Sequence, residues 1–216
     1  MSDNDLERWV TEELHFDPTL HSDAIAVSTS EGDVTLRGTV GSFREKRDAE
    51  KTARRVAGVK KVANELKVRL LTEHGRGDAD LRGAVLRALD LDSLIPDTID
   101  ARVDDGWVTL TGTAAWQYQR DEAGYLAGNI AGVIGIDNQI DLAPTGAPPD
   151  DIQQAIRDAF KRNANVEAED VSVDTHDGTV VLTGSVSSWA EHDQALAAAW
   201  AAPGVKGVDD YLEVES

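Results

Sequence analysis

Apolar residues recur along the chain in two rhythms, one helical and one extended, and the same succession comes round three times. Leu6, Trp9, Val10 and Leu14 stand at i, i+3, i+4 and i+8, the spacing of one buried helical stripe, which places Trp9 in the core. Leu81, Ala84, Val85 and Leu89 repeat that stripe, as do Ile152, Ala155, Ile156 and Phe160. Alternating apolar positions follow at Ile25/Val27/Thr29, Ile99/Ala101/Val103 and Val171/Val173/Thr175, each the mark of a half-buried strand. Glu31-Gly32, Asp105-Gly106 and Asp177-Gly178 then read as two-residue type I′ hairpin loops. Val34/Leu36, Val108/Leu110 and Val180/Leu182 mark the inward face of a second strand, expected to end at Gly38, Gly112 or Gly184.

A second helix is predicted from Ser42 in the first copy and Ser188 in the third. Ser42 to Glu45 and Ser188 to Glu191 both fit a capping box, in which serine accepts from an orphan amide and glutamate reaches back. The middle copy carries Trp116 in place of the serine. Gly58, Gly132 and Gly204 are read as left-handed C-caps of these helices. The last strand is marked by Val59/Val62/Leu66, Val133/Ile136/Ile140 and Val205/Val208/Leu212.

A repeat of about 70 residues means that one small module has been copied in tandem. The expected fold is α/β (α+β): three α-β-β-α-β modules, at 1–71, 78–143 and 149–216. Each is a three-stranded mixed sheet covered on one face by two helices, because a β-α-β crossover sets the last strand parallel to the second. Thr72–Gly77 and the proline-rich Pro144–Asp150 are the connectors, the second a semi-rigid spacer.

Composition narrows the function classes. The chain has 216 residues, no cysteine and a net charge of −19, which disfavours nucleic acid as a partner. The charge is uneven. Residues 1–74 hold 12 basic and 14 acidic side chains, residues 75–144 hold 5 and 12, and residues 145–216 hold 4 and 14. No apolar run is long enough for a transmembrane segment. The first residues lack the basic and apolar regions of a signal peptide, so a cytoplasmic location is expected, or a periplasmic one if a leader has been removed.

The sharpest asymmetry is a basic strip in the second helix of the first copy. Arg44, Arg47, Lys51 and Arg55 recur at i, i+3, i+7 and i+11 on one face, and Lys60 and Lys61 extend it. Such a strip suits anionic phospholipid or an acidic protein surface, including an acidic module of the same or another chain; otherwise it is a solvated helix face balanced by Glu45, Asp48 and Glu50. Trp107 alternates with Val108 and Leu110 and so points to the other sheet face, where the sister copies have Asp33 and Thr179. Trp200 occupies the place of Arg54, and Trp116 and Tyr118 cluster at the start of the middle second helix. These aromatics suit either a partner or membrane interface or packing between repeats.

Other chemistry is weakly represented. Arg37–Ser42 is glycine-rich but lacks both phosphate-loop spacings. His15, His21, His74, His176 and His192 have no paired metal-ligand spacing, and Asp104-Asp105 and Asp209-Asp210 do not form a calcium loop. No catalytic set, metal site or cofactor site can be nominated, and no enzymatic activity is expected.

The acidic-Gly hairpin, the Val-Thr-Leu-x-Gly strand and the Gly-Val-x-x-Val-x-Asn ending together resemble the BON domain. That ending stands here as Gly58 to Asn64 and Gly132 to Asn138, and the third copy has Asp210 where the asparagine would be. The resemblance covers nearly the whole chain. It implies a non-catalytic α/β module found in proteins of envelope or osmotic-stress protection, with suspected contact to phospholipid and, in one branch, potassium binding. The resulting expectation is a non-enzymatic binding protein of the osmotic-stress type that contacts phospholipid surfaces or other proteins. Alternatives are a module sensing a monovalent cation or small solute, and a self-associating scaffold.

Overall fold

Three short sheets, each backed by two helices, realise the three rounds of patterning in the computed structural model, which describes residues 2–69, 76–143, 151–163, 166 and 170–215. The first repeat runs α1 (Asp3–Phe16), β1 (Ile25–Ser30), β2 (Asp33–Val40), α2 (Phe43–Arg54), β3 (Lys61–Asn64) and β4 (Lys67–Val68). The second runs α3 (Asp78–Asp90), β5 (Asp100–Asp104), β6 (Trp107–Ala114), α4 (Gln117–Gly128) and β7 (Gly135–Leu142). The third runs α5 (Ile152–Arg162), β8 (Val171–His176), β9 (Thr179–Val186), α6 (Trp189–Trp200) and β10 (Gly207–Val214). In every sheet the second hairpin strand lies in the middle. The hairpin strands are antiparallel, and in the first and third repeats the last strand runs parallel to the middle one. This is the expected α+β architecture.

The chain parts into two compact units, Met1–Gly112 with Glu122–Ile140 and Thr113–Asp121 with Asp141–Ser216. Of the connector expected at Thr72–Gly77, all but Arg76 and Gly77 lies outside the described residues, and Pro144–Asp150 lies wholly outside them.

Each core forms where the helical stripe meets the inward strand positions. Leu6, Val10 and Leu14 pack with Val34, Leu36, Ala49, Ala53 and Leu66; Ile156 and Phe160 pack with Val173, Val180, Leu182, Ala195 and Ala199. The second helix of each repeat presents alanines at this contact, Ala49/Ala53, Ala123/Ala127 and Ala195/Ala199, all fully buried. Small side chains let that helix lie close on the sheet without voids.

The hairpins have the predicted geometry. Glu31, Asp105 and Asp177 take φ of 54°, 48° and 49° in two-residue loops, as a type I′ turn requires of its first residue. First-turn aspartates brace two of these loops: the carboxylate of Asp3 accepts from the Glu31 amide, and that of Asp78 from the Asp105 and Gly106 amides, at 2.9–3.0 Å.

Four local expectations are corrected. The middle strands do not stop at Gly38, Gly112 and Gly184 but run on two residues to Val40, Ala114 and Val186. These glycines stand opposite the start of the edge strand. At φ of 135°, 124° and 125°, a β-carbon would stand about 2 Å from the carbonyl oxygen of Ala24, Thr98 or Asp170, so only glycine admits that approach. Gly58, Gly132 and Gly204 are not helix caps either. In each repeat the residue after the glycine donates its amide to the carbonyl three positions back (Val59 to Val56, Val133 to Ile130, Val205 to Ala202). The glycine holds the third place of that turn with positive φ, as in a type II turn, and Pro203 holds the second place in the last copy.

The third correction is Trp9, which is 43% exposed while Val10 is fully buried. It lies beside the buried stripe and borders a shallow cleft with Phe16 and Arg55 rather than entering the core. The fourth is the last strand of the first repeat, which is interrupted at Glu65 and Leu66.

Candidate binding surface

The capping boxes position the second helices and hence the basic strip. The Ser42 hydroxyl accepts from the Glu45 amide at 3.1 Å, and Ser188 does the same for Glu191 at 3.2 Å. The glutamates reach one residue further back than a standard box, to the amides of Gly41 and Ser187 at 2.9 and 2.8 Å. Burial alone would push the Glu45 carboxyl up, but the His21 and Gly41 amides outweigh it and hold it below its ordinary value. In the middle copy Gln119 does the reaching: its Oε1 accepts from Ala115 and Trp116 at 3.0 and 3.2 Å.

The structure distributes the strip residues among different partners. Arg47 turns towards the second repeat, within the first unit. Its Nη2 donates to Asn129 Oδ1 at 2.9 Å, and its guanidinium carbon lies 4.4 Å from the centre of the Tyr125 ring. Phe43 accompanies it, its ring edge so near that a β-carbon at Gly128 would stand 3.0 Å away. Arg55 pairs with Asp17 at 3.1 Å and reaches Glu13 at 3.8 Å. Asp17 also accepts from Thr19 and Thr52, and these bonds, those of Thr19 foremost, lower its pKa to about 2.

The remaining cations face outward. Arg44 is exposed and touches Asp48 at 3.3 Å. Lys51 is exposed and has no ion-pair partner among the described residues. Lys60 is exposed, its side-chain methylenes over the hairpin at Gly32. Lys61 is exposed opposite Asp33 on the sheet face away from the helices.

Trp107 is half exposed, and its ring lies on Gly135 of the neighbouring strand, where a β-carbon would come within 2.5 Å of it. The tryptophan thus covers a bare stretch of β7 while offering its other face to solvent. In the second unit Trp116, Tyr118 and Trp200 line one groove of about 480 Å³. Trp200 also packs against the third core.

Sequence reasoning missed one buried polar pair. His192, nearly inaccessible, places Nε2 at 2.9 Å from Asp210 Oδ2. The signal was present: Asp210 replaces the repeat asparagine, and in the first repeat that Asn64 donates to the Lys46 carbonyl at 2.7 Å, at the place His192 takes in α6. Among the described residues no three potential ligands gather as a metal site, and no helix is long and apolar enough to cross a membrane. His74 lies outside the described residues.

Comparison with known proteins gives a consistent picture. The family profile described as "BON domain" matches residues 2–69, 77–144 and 149–216. Osmotically-inducible protein Y of Escherichia coli (strain K12) is 32% identical over 126 residues, covering 56% of this chain and 63% of that protein. This chain therefore spans less than two thirds of that relative's length. Two solved structures of CdsD, a structural protein of the type III secretion system of Chlamydia trachomatis, align over 96% and 100% of this chain and 91% and 100% of theirs. Their identities are 15% and 14%, and both TM-scores are 0.27, too low to bear on fold or function.

Proposed function

Because the chain belongs to the BON domain family, we propose that it is a non-catalytic binding protein of the osmotic-stress type whose first module docks on anionic phospholipid. The modules at 1–71, 78–143 and 149–216 are its working units, and the first supplies the contact. The observation that carries this reading is the segregation of charge: near balance in residues 1–74, and 12 against 5 and 14 against 4 acidic over basic in the rest. Within the first module Arg44, Lys51, Lys60 and Lys61 are exposed, while Arg47 and Arg55 serve internal contacts. The relative named for osmotic induction supports the physiological setting.

Each basic group near an anionic bilayer contributes about 1 kcal/mol. Lys61 lies on the sheet face away from α2, so Arg44, Lys51 and Lys60 act together and give about 3 kcal/mol, enough for salt-sensitive association. Repulsion from carboxylates beyond the Debye length of about 8 Å is largely screened. Vesicle flotation tests the reading. The chain should float with phosphatidylglycerol vesicles and not with phosphatidylcholine vesicles, and Arg44→Glu, Lys51→Glu and Lys60→Glu together should abolish flotation. Equal behaviour on both vesicles, or flotation indifferent to the triple reversal, rejects it.

A further inference from the structure

The groove in the second unit plays no part in surface docking by the first module, and its chemistry is specific. About 480 Å³ in volume, it lies between the start of α4, Trp116 to Asp121, and the stretch of α6 from Asp193 to its C-cap Ala201. Trp116, Tyr118 and Trp200 supply aromatic surface, and the charged groups that line it among the described residues are the carboxylates of Asp121 and Asp193, with no lysine, arginine or histidine. The partial negative charge at the end of α6 offsets the partial positive charge at the start of α4, so the carboxylates set the sign.

Gln117 adds an independent mark. Its Nε2 donates to Asp121 Oδ1 at 2.8 Å, which fixes the orientation of the amide. Oε1 is then left buried with no hydrogen-bond partner among the described residues. A buried acceptor without a donor costs free energy until something fills the place.

Electron-rich ring faces attract cations, and a strongly hydrated ion gains little there because it must shed water. A quaternary ammonium is weakly hydrated and apolar on its outside, so it loses little on entering and gains from both rings and carboxylates. We propose that this groove binds a small, soluble quaternary ammonium monocation of the choline type, with its trimethylammonium head against Trp116, Tyr118 and Trp200 and its charge facing Asp121 and Asp193. The ligand's hydroxyl donates to Gln117 Oε1. Asp121 keeps part of its surface open to solvent, yet the protein around it raises its carboxyl above the ordinary value, an effect opposed by Gln117 and Arg120. A neighbouring cation relieves that cost.

The full chain is titrated with choline chloride at constant ionic strength against sodium and potassium chloride, without vesicles, following tryptophan fluorescence and melting temperature. Choline should give saturable quenching and a raised melting temperature, because it binds the folded state alone. The uncharged isostere 3,3-dimethyl-1-butanol should bind at least about ten-fold more weakly. Tyr118→Ala, and the pair Asp121→Asn with Asp193→Asn, should each weaken choline about ten-fold with the circular dichroism spectrum unchanged. Trp200 is left intact because it also packs against the core. A response to choline no larger than to potassium, equal affinity for the uncharged isostere, or unaltered binding by these variants overturns the assignment.

Discussion

Replacing Arg47 with alanine separates the structural part of the basic strip from its proposed binding part. The side chain is 30% exposed and makes two contacts with the second repeat inside the first unit: the 2.9 Å bond to Asn129 and the stacking over Tyr125 at 4.4 Å. A hydrogen bond from a charged donor is worth about 1.5 kcal/mol net, and a partly desolvated cation–π contact about 1 kcal/mol. The two share one guanidinium, so Arg47→Ala should cost about 2 kcal/mol, less than their sum. Asn129 is only partly buried, so the oxygen left without its donor adds little.

The assay is a double-mutant cycle with Tyr125→Ala in urea, with hydrogen exchange of α2 and α4 locating the affected transition. The expected coupling is about 1 kcal/mol. Arg47→Lys should recover less than half of the loss, because an ammonium cannot bond Asn129 and stack on the ring with one planar group. Anionic-vesicle affinity of Arg47→Ala should stay within about two-fold of the parent, since an internally engaged cation contributes little of its about 1 kcal/mol to the bilayer. A coupling below about 0.3 kcal/mol would refute the inter-repeat contact.

Two further outcomes follow from the fold. Gly38→Ala should cost about 3 kcal/mol or more, since a β-carbon there meets the Ala24 oxygen at 1.9 Å at a φ of 135°. Gly83→Ala, inside α3 and near only the flexible end of Arg87 at 3.3 Å, should stabilise by about 0.8 kcal/mol; urea melts of both variants check the opposite signs. Asp17 has its folded pKa lowered from 3.8 to about 2, so its stabilising contribution is whole above about pH 4 and lost as pH falls towards 2. Discounted for solvent screening it amounts to about 1 kcal/mol, and Asp17→Asn should remove that part of the acid dependence of melting.

The parts of the fold legible in the sequence are those fixed by near neighbours. Asp105-Gly106 specifies a tight hairpin by itself, and Leu81, Val85 and Leu89 share a helix face whatever surrounds them. The role of Gly38 depends on the Ala24 carbonyl, 14 positions earlier, so strand patterning alone reads it as an end. Glycine placement alone reads Gly58 as a helix cap, whereas the helix closes at Arg54 and leaves room for a further turn. Helical spacing put Trp9 beside Val10 but could not say that the sheet covers one and not the other.

The candidate surfaces follow the same division. Spacing groups Arg44, Arg47, Lys51 and Arg55 on one helix, yet it carries no information about Tyr125 or Asp17, which engage two of them. Trp116, Tyr118 and Trp200 could be singled out one by one. Their common groove, and the orphaned oxygen of Gln117 beside it, arise from tertiary structure.

Hydrogen exchange of the full chain on phosphatidylglycerol vesicles tests the central claim most directly. Protection should appear over residues 43–61, be absent from 171–214, and vanish in high salt. Protection centred on the third repeat, or none anywhere when vesicles are in excess, would contradict the account.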